Sequence, residues 1–313
     1  MPNSIVHGDD KIYFRRSGIP GPPKRKNGAN PDIIRAVNTR ILTQATFATL
    51  GHLPDDQLDL VLANVLIAQE DNPALRLSDV AARFADLAAR APRLEAASNR
   101  NRAEALSVYL FQEEGFRANQ KAYYDPRNSF VSHVLERKVG IPISLTLILL
   151  EVARRCGIPL AGVGFPGRFL AGLPGDGDFF IDSFGGGRVL NAKDCEAMFR
   201  EQTAGKGKWS PDFLATVSRK QTLQRMLRNL KEIYLYREDV PRCLRAAEKL
   251  SALSPDDLEE IRDRGVLSLH GGAFVRALSD LETYLAGRPE ADDAELIRTH
   301  VKVLKQHLGA GVR

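Results

Sequence analysis

The sequence has few cysteines and no long apolar run. Its 313 residues include only Cys156, Cys195 and Cys243, which are widely spaced and contain no Cys-x-x-Cys pair. This argues against a disulfide scaffold and against a cysteine-based zinc site. The longest strongly apolar stretch without a charge, Val139–Leu150, is too short to span a bilayer. Because charges appear by Asp9 and no apolar signal core precedes them, we expect a cytoplasmic protein without membrane association.

The sequence also lacks the motifs by which many cofactor and metal enzymes are recognised. It has no Gly-x-x-x-x-Gly-Lys-Ser/Thr phosphate loop and no Gly-x-Gly-x-x-Gly after a predicted strand. Its six scattered histidines include no His-Glu-x-x-His spacing. We therefore expect neither a cofactor nor a metal.

The positive charge is concentrated at the N-terminus. Residues 1–48 contain eight Lys/Arg and three Asp/Glu, and the rest of the chain contains 36 residues of each sign. Residues 1–30, with their Pro-Gly-rich stretch, are predicted to be a basic, disordered leader. Weak nucleic-acid binding through this leader is an alternative, but the Lys24–Lys26 run is too short to favour it.

Residues 31–116 are predicted to form a helical N-terminal segment. Apolar residues recur at helical spacing after Pro54, and Asp55 is a suitable helix cap. The apolar residues of this first helix are Leu58, Val61, Leu62, Val65 and Leu66.

Residues 117–209 are predicted to combine one buried helix with a small antiparallel sheet. Pro142 suits a first helical turn, and Ser144–Arg155 is apolar on nearly every face. Short apolar segments separated by Pro-Gly and Gly-Gly turns follow and predict strands. The predicted strands are Leu160–Phe165, Arg168–Ala171, Phe179–Asp182 and Arg188–Leu190. The fold class is therefore α+β and predominantly helical.

Residues 210–313 are predicted to be helical repeats. The interval between Pro255 and Pro289 is the same as the interval between Glu248 and Glu282. This shared interval equals the period of about 34 residues that is typical of tetratricopeptide repeats, which are pairs of antiparallel helices.

The central sequence resembles a known family. It reads YYDPRNSFVSHVLERKVGIPISLTLILLEVARRCGIPLAGVGFPGRFLAG, and FFIDSFGGG follows. This ordered string is similar to the SirB family of bacterial proteins, and the similarity extends over about residues 50–290. The resemblance implies a transglutaminase-like (papain-like) core followed by tetratricopeptide repeats.

The resemblance also implies where catalytic residues would lie. In active transglutaminase-like enzymes, a cysteine at the start of the central helix is the nucleophile, a histidine is the base, and an aspartate orients the histidine. The cysteine position falls near Pro142–Ser144, where this chain has no cysteine. The histidine position is Arg168, and the aspartate position is Asp182.

These departures predict a degenerate site with no catalytic residue. Arg168 cannot act as a base because its guanidinium stays protonated in proteins. We therefore expect a non-catalytic regulatory or protein-binding module, a pseudoenzyme, whose partner is a protein or peptide. The candidate binding residues are Tyr124, Asn128 and Arg168.

Arg168 and Asp182 are expected to lie close together on neighbouring strands. The favoured interpretation is a structural, bidentate Arg–carboxylate pair. The alternative is that Arg168 points into the former catalytic cleft and binds an acidic group of a partner.

A rearranged enzyme is the alternative function. Ser144 would be the nucleophile and His133 the base of an acyl-transfer or amide-hydrolysing reaction. This hypothesis requires the Ser144 oxygen to lie within hydrogen-bond reach of the His133 ring.

Overall fold

The computed structural model describes residues 5–8, 11–14, 46–94 and 97–310. The chain divides into two compact units, Pro54–Met226 and a second unit that combines Met1–Leu53 with Leu227–Arg313. Within the segment predicted to be a disordered leader, strands β1 (Ile5–Gly8) and β2 (Lys11–Phe14) form an antiparallel hairpin. Lys24–Lys26 and the first part of the predicted helical segment, residues 31–45, lie outside the described residues.

A buried central helix organises the Pro54–Met226 unit. The helices that precede it are α1 (Leu60–Ala68), α2 (Leu77–Arg90), α3 (Asn99–Val108) and α4 (Val131–Arg137). The central helix, α5 (Pro142–Arg155), buries 11 of its 14 residues and packs against α2, α3 and α4. Proline suits its first position because the first amides of a helix have no partner within the helix. The prediction of a buried central helix is confirmed. None of the helices in the described ranges is both long and apolar enough to cross a membrane.

A four-stranded antiparallel sheet follows the central helix. Two short strands, β3 (Arg117–Ala118) and β4 (Val139–Gly140), first pair in parallel and contact α5. The main sheet has the order β5 (Ala161–Val163), β6 (Leu170–Gly172), β7 (Phe180–Asp182) and β8 (Arg188–Leu190). Helix α6 (Ala192–Gln202) then packs Cys195 and Phe199 against this sheet. The predicted α+β class with a small antiparallel sheet is confirmed.

The first helix of this unit begins later than the sequence predicted. Residues Asp55–Gln57 form a short 3-10 turn, and α1 starts at Leu60. Asp59 is the cap, since its Oδ1 accepts hydrogen bonds from the backbone amides of Val61 and Leu62 at 2.8 and 3.0 Å. The prediction that Asp55 caps this helix is wrong because Asp59 satisfies two of the amides that a helix start leaves unpaired.

The C-terminal helices repeat with the predicted period. They are α7 (Arg219–Tyr236), α8 (Val240–Leu253), α9 (Leu258–His270), α10 (Phe274–Gly287) and α11 (Ala294–Ala310). Helices α8 and α10 each have 14 residues, and their starts are separated by the same interval as Pro255 and Pro289. Leu250 and Tyr284 occupy equivalent positions, and both are fully buried. Equivalent helices thus bury equivalent positions, as expected for tetratricopeptide-type repeats.

A network of buried charges joins these helices. Nζ of Lys231 lies 2.8 Å from Oε2 of Glu260 and 2.7 Å from Oδ2 of Asp263. Arg262, which is only 2% exposed, donates to Oδ1 of Asp263 at 2.7 Å and to Oδ2 of Asp293 at 3.3 Å. Helices α7 and α9 and the segment before α11 are therefore connected by ion pairs inside the repeat unit. Removing one partner from such a network leaves an uncompensated buried charge.

This network predicts a large effect of a single neutral substitution. We expect Lys231→Met to lower the free energy of unfolding of the repeats by about 3–5 kcal/mol, because Glu260 and Asp263 lose their shared cation. Lys305→Met is the control, since Lys305 pairs with Glu282 at 2.7 Å on the exposed surface and should contribute about 0–1 kcal/mol. Hydrogen exchange of α9, followed by mass spectrometry, measures the difference. Equal effects of the two substitutions would contradict the prediction.

The same network predicts a pH dependence. Burial acts to lower the pKa of Lys231, but Asp263 and Glu260 outweigh it and hold that pKa above its ordinary value. Burial acts to raise the pKa of Glu260, but Lys231 and Arg228 outweigh it and hold that pKa below its ordinary value. The stabilisation from Glu260 is therefore present above the unfolded-chain pKa of about 4.3, and it is lost as the pH falls below that value. The stabilisation from Lys231 is present below the unfolded-chain pKa of about 10.4, and it is lost as the pH rises above that value. The difference in urea midpoint between the wild type and Glu260→Gln should therefore be nearly constant between these limits, and it should shrink as the pH falls below the lower one.

Candidate functional site

The position expected for a catalytic nucleophile is occupied by a serine that has a structural role. Ser144 lies in the first turn of α5 and is 2% exposed. Its hydroxyl lies 2.5 Å from the backbone oxygen of Asn128 and 3.1 Å from that of Ile141, and it accepts a hydrogen bond from the Ile141 amide at 3.1 Å. The hydroxyl therefore joins the start of the central helix to the preceding loop. A hydroxyl bound to backbone carbonyls is not poised to attack a substrate.

Asn128 holds the loop before the central helix. Its side chain is fully buried, and Nδ2 donates to the backbone oxygens of Ala122 and Tyr123 at 2.7 and 3.2 Å. Its Oδ1 accepts from Nδ2 of Asn119 at 3.0 Å. The candidate binding residue Asn128 thus uses its amide within the fold, and its backbone oxygen accepts from Ser144.

A row of aromatic rings runs from the loop to the former base position. Tyr124 is 41% exposed, and its ring packs edge-on against Tyr123 with centroids 5.3 Å apart. Tyr123 contacts Phe184 at 6.2 Å, and the Arg168 guanidinium lies 4.8 Å from the Phe184 centroid. Tyr124 and Arg168, both predicted binding residues, are therefore at the two ends of one row of packed rings, in which Phe184 is buried.

The backbone around Arg168 is fixed from two sides. The turn at residues 166–167 places Gly167 at a φ of +67°, a conformation that favours glycine. Nη2 of Arg225, in α7, donates to the backbone oxygens of Phe165 and Arg168 at 3.0 and 2.8 Å. The turn that carries Arg168 is therefore held by a second arginine.

Arg168 and Asp182 lie together, but the predicted bidentate pair is not formed. Their closest atoms, Nε and Oδ2, are 3.9 Å apart, too far for a hydrogen bond. Nε of Arg168 is buried without a hydrogen-bond partner among the described residues. The reason is that Oδ1 of Asp182 accepts from the amides of Phe184 and Gly185 at 3.1 and 2.9 Å, which directs the carboxylate toward its own loop. The guanidinium lies against the ring of Phe184 instead.

The sheet and the central helix meet beside this pair through a buried threonine. Oγ1 of Thr146, in α5, donates to the backbone oxygen of Phe169 at 2.7 Å and lies 3.1 Å from Oγ of Ser183. Ser183 directly follows Asp182. The helix therefore fixes the segment between Arg168 and strand β6, and the end of strand β7, where Asp182 lies.

The serine and histidine of the rearranged-enzyme hypothesis are not joined. The His133 ring, on α4, packs 6.2 Å from the ring of Phe130. Within the described chain, the hydrogen bonds of the Ser144 hydroxyl go to Asn128 and Ile141, and none goes to His133. The geometry that this hypothesis requires is therefore missing from the structure.

Sequence reasoning missed Thr146 and Arg225. Thr146 is a buried polar residue in the largely apolar first part of α5, and this is the signal that the sequence offered. Arg225 is half-buried in α7, which is rich in polar residues, so its position offered no comparable signal. A polar residue at such a position normally has a hydrogen-bond partner elsewhere in the fold.

Comparison with known proteins agrees with this architecture. A family model described as the transglutaminase-like superfamily matches residues 75–228, and a tetratricopeptide repeat model matches residues 230–302. A UPF0162 protein of Xylella fastidiosa is 37% identical over 261 residues, which cover 80% of this chain and 92% of the relative. The chain belongs to the SirB-like family of transglutaminase-like proteins with C-terminal tetratricopeptide repeats. The resemblance seen in the sequence is confirmed.

More distant members support the same assignment. A UPF0162 protein of Vibrio cholerae is 33% identical and aligns over 65% of this chain and 76% of its own length. Protein SirB1 of Salmonella typhimurium is 25% identical and aligns over 64% of this chain and 75% of its own length. No solved structure matches the chain. The boundary between the two family models lies at residues 228–230, close to the boundary between the two compact units at Met226.

The structural role of Ser144 can be tested against a second buried serine. We expect Ser144→Ala to lower the free energy of unfolding by about 1–3 kcal/mol, because the Ile141 amide and the Asn128 carbonyl lose a buried partner. Ser129 is the matched control, since its buried hydroxyl has no hydrogen-bond partner in the described residues. Ser129→Ala should leave the free energy of unfolding unchanged or raise it, because it removes a buried hydroxyl that has no partner among the described residues. Urea denaturation compares the two, and a neutral Ser144→Ala would contradict the assignment.

Proposed function

We propose that this protein is a non-catalytic regulatory module that binds a segment of a partner protein, with Arg168 contacting an acidic group of that segment. The observation that carries the proposal is the state of the Arg168 guanidinium. It occupies the base position of a transglutaminase-like site, and its side chain is 30% exposed. It makes no hydrogen bond to the part of the chain that the structure describes, and its nearest carboxylate is 3.9 Å away.

Two features argue against catalysis by this site. Arginine cannot accept a proton at neutral pH because its guanidinium stays charged. Ser144 is hydrogen-bonded to backbone groups, and an alcohol without a base is a poor nucleophile. Loss of either the base or the nucleophile from a catalytic unit lowers its rate by orders of magnitude.

The same site has properties that suit recognition. A guanidinium has five N–H donors arranged to bind a carboxylate in a bidentate manner. The ring of Phe184 covers one side of Arg168, and the aromatic row leads outward to Tyr124, which is half-exposed. Aromatic residues and arginine are enriched at protein interfaces. A partner segment with an acidic residue and an apolar neighbour would match both ends of this row.

The helical repeats support the same proposal. Stacked pairs of helices in tetratricopeptide repeats form extended surfaces that generally bind other proteins. We further propose that the protein acts in the cytoplasm, which the three unpaired thiols support.

A first experiment tests the absence of catalysis. Wild-type protein, Arg168→His and Arg168→Gln are assayed for incorporation of a biotinylated primary amine into a glutamine-containing protein, and for release of ammonia from it. We expect no turnover above background in any of them, because restoring a histidine does not supply the missing nucleophile. Turnover by the wild type or by Arg168→His, lost in Ser144→Ala, would contradict the proposal.

A second experiment tests recognition by Arg168. A photo-crosslinking amino acid at Tyr124 should give one reproducible partner adduct in cells, and Arg168→Glu should abolish that adduct. Arg200→Glu is the control, since Arg200 is an exposed arginine that pairs only with Glu196 on its own helix. Both variants must unfold cooperatively near the wild-type midpoint. An adduct that survives Arg168→Glu would contradict a contact between Arg168 and the partner.

A further inference from the structure

A cavity lies at the C-terminal end of the central helix, α5. It has a volume of about 280 Å³, and the end of α2, the start of α3 and the end of α5 surround it. Arg93, Arg102, Arg155 and Cys156 line it, together with apolar side chains that include Ala88 and Ile158. Ser144 is in the first turn of α5 and Arg155 is its last residue, so the two ends are on the order of 16 Å apart along the helix. The cavity is therefore separate from the Arg168 site.

The lining of this cavity is positively charged. Three of its lining residues are arginines, and none of its described lining residues is a carboxylate. Arg155 shares the carboxylate of Glu151 with Arg154, and its Nε lies 2.7 Å from Oε1. The other two arginines carry positive charge that no described lining residue balances.

Arg102 and Arg93 have no carboxylate partner within the described chain. Nη2 of Arg102 donates to the backbone oxygen of Cys156 at 2.7 Å, and Nη1 makes a long contact of 3.4 Å with Oδ1 of Asn99, so both acceptors are uncharged. Arg93 is exposed and forms no ion pair with the part of the chain that the structure describes. Among the described residues, no carboxylate compensates these two guanidinium charges, a condition that an anionic ligand relieves.

The field of these two arginines reaches the cavity wall. Burial raises the pKa of the Cys156 thiol, and the charges of Arg102 and Arg93 act in the opposite direction. Cys156 is therefore a natural reporter of the charge in the cavity. The other two cysteines, Cys195 and Cys243, are fully buried, so modification of the folded protein should be confined to Cys156.

We propose that this cavity binds a small organic anion, whose carboxylate or phosphate group contacts Arg93 and Arg102 and whose short apolar part packs against Ala88 and Ile158. The volume limits the size of the ligand. At about 30 Å³ for each water in the liquid, the cavity holds a molecule of roughly ten non-hydrogen atoms. This site is independent of Arg168, so the proposal does not depend on whether the proposed function is correct.

Alkylation of Cys156 measures the charge of the cavity directly. Iodoacetate is an anion and iodoacetamide is neutral, but both react by the same step: the thiolate sulfur forms a bond to carbon and iodide leaves. At low ionic strength we expect the ratio of the iodoacetate rate to the iodoacetamide rate to exceed that of a blocked cysteine peptide by about fivefold or more. Arg93→Gln should lower this ratio toward the peptide value. Its effect on the pKa of Cys156 changes both rates by the same factor and therefore cancels in the ratio. Arg83→Gln is the control, since Arg83 is an exposed arginine on α2 that does not line the cavity.

Protection experiments distinguish the two kinds of anion. Inorganic phosphate and butyrate are each compared with chloride at equal ionic strength for slowing the reaction of Cys156 with neutral iodoacetamide. Protection by butyrate alone identifies a carboxylate site with an apolar wall, and protection by phosphate identifies a phosphate site. Both outcomes support the proposal, provided that Arg93→Gln weakens the protection.

A second measurement does not depend on the thiol. The protecting anion should raise the midpoint of thermal unfolding more than chloride does, and less in Arg93→Gln than in Arg83→Gln. An alkylation ratio equal to that of the peptide, with no protection and no midpoint shift from either anion beyond that of chloride, would overturn the proposal.

Discussion

The structure of the transglutaminase-like unit depends on satisfying the polar groups of a helix that is buried on nearly every face. Helix α5 contributes the hydroxyls of Ser144 and Thr146 to an apolar interior. Ser144 contacts the loop at Asn128, and Thr146 donates to the start of the sheet at Phe169. Because unpaired buried hydroxyls are costly, these two bonds fix the loop and the sheet relative to the helix. Ser144 thus positions the loop at Asn128, and Thr146 positions the segments beside Arg168 and Asp182. Arg225 holds the turn of Arg168 from the other side.

This arrangement explains how the framework of a transglutaminase-like site can persist while its polar groups are used within the fold. The start of α5 is where a helix dipole would activate a thiolate, and this chain uses the same position for a hydroxyl that binds backbone oxygens. Asp182, at the position that would orient a base, accepts from the amides of Phe184 and Gly185 instead. Two of the three catalytic positions thus contribute to the fold. At the third, Arg168, the guanidinium forms no hydrogen bond within the described chain, and this is the group that we propose takes part in recognition.

Patterns that are local or periodic could be predicted from the sequence, and particular pairings could not. The buried helix followed from an apolar run, and the offset between α8 and α10 followed from matching positions in the two repeats. The proximity of Arg168 and Asp182 followed from the family resemblance. Their hydrogen bonding did not, because the amides of Phe184 and Gly185 compete for the same carboxylate. Small differences in distance decide whether a carboxylate binds a distant side chain or a nearby backbone amide. The spacing of residues in the sequence does not reveal such differences.

The arginines of this protein differ in how deeply they are buried and in how completely they are paired. Arg262 is almost completely buried and is paired with Asp263 and Asp293, as a desolvated cation requires. Arg168 is partly exposed, and the carboxylate of Asp182 lies beyond hydrogen-bond distance from it. Arg93 lines a cavity and has no acidic partner among the described residues. A buried guanidinium without a partner would destabilise the fold, so an incompletely paired arginine is tolerated only where water or a ligand can reach it. At Arg168 and at Arg93 the guanidinium has no acidic hydrogen-bond partner among the described residues, so an outside anion can bind there without displacing one.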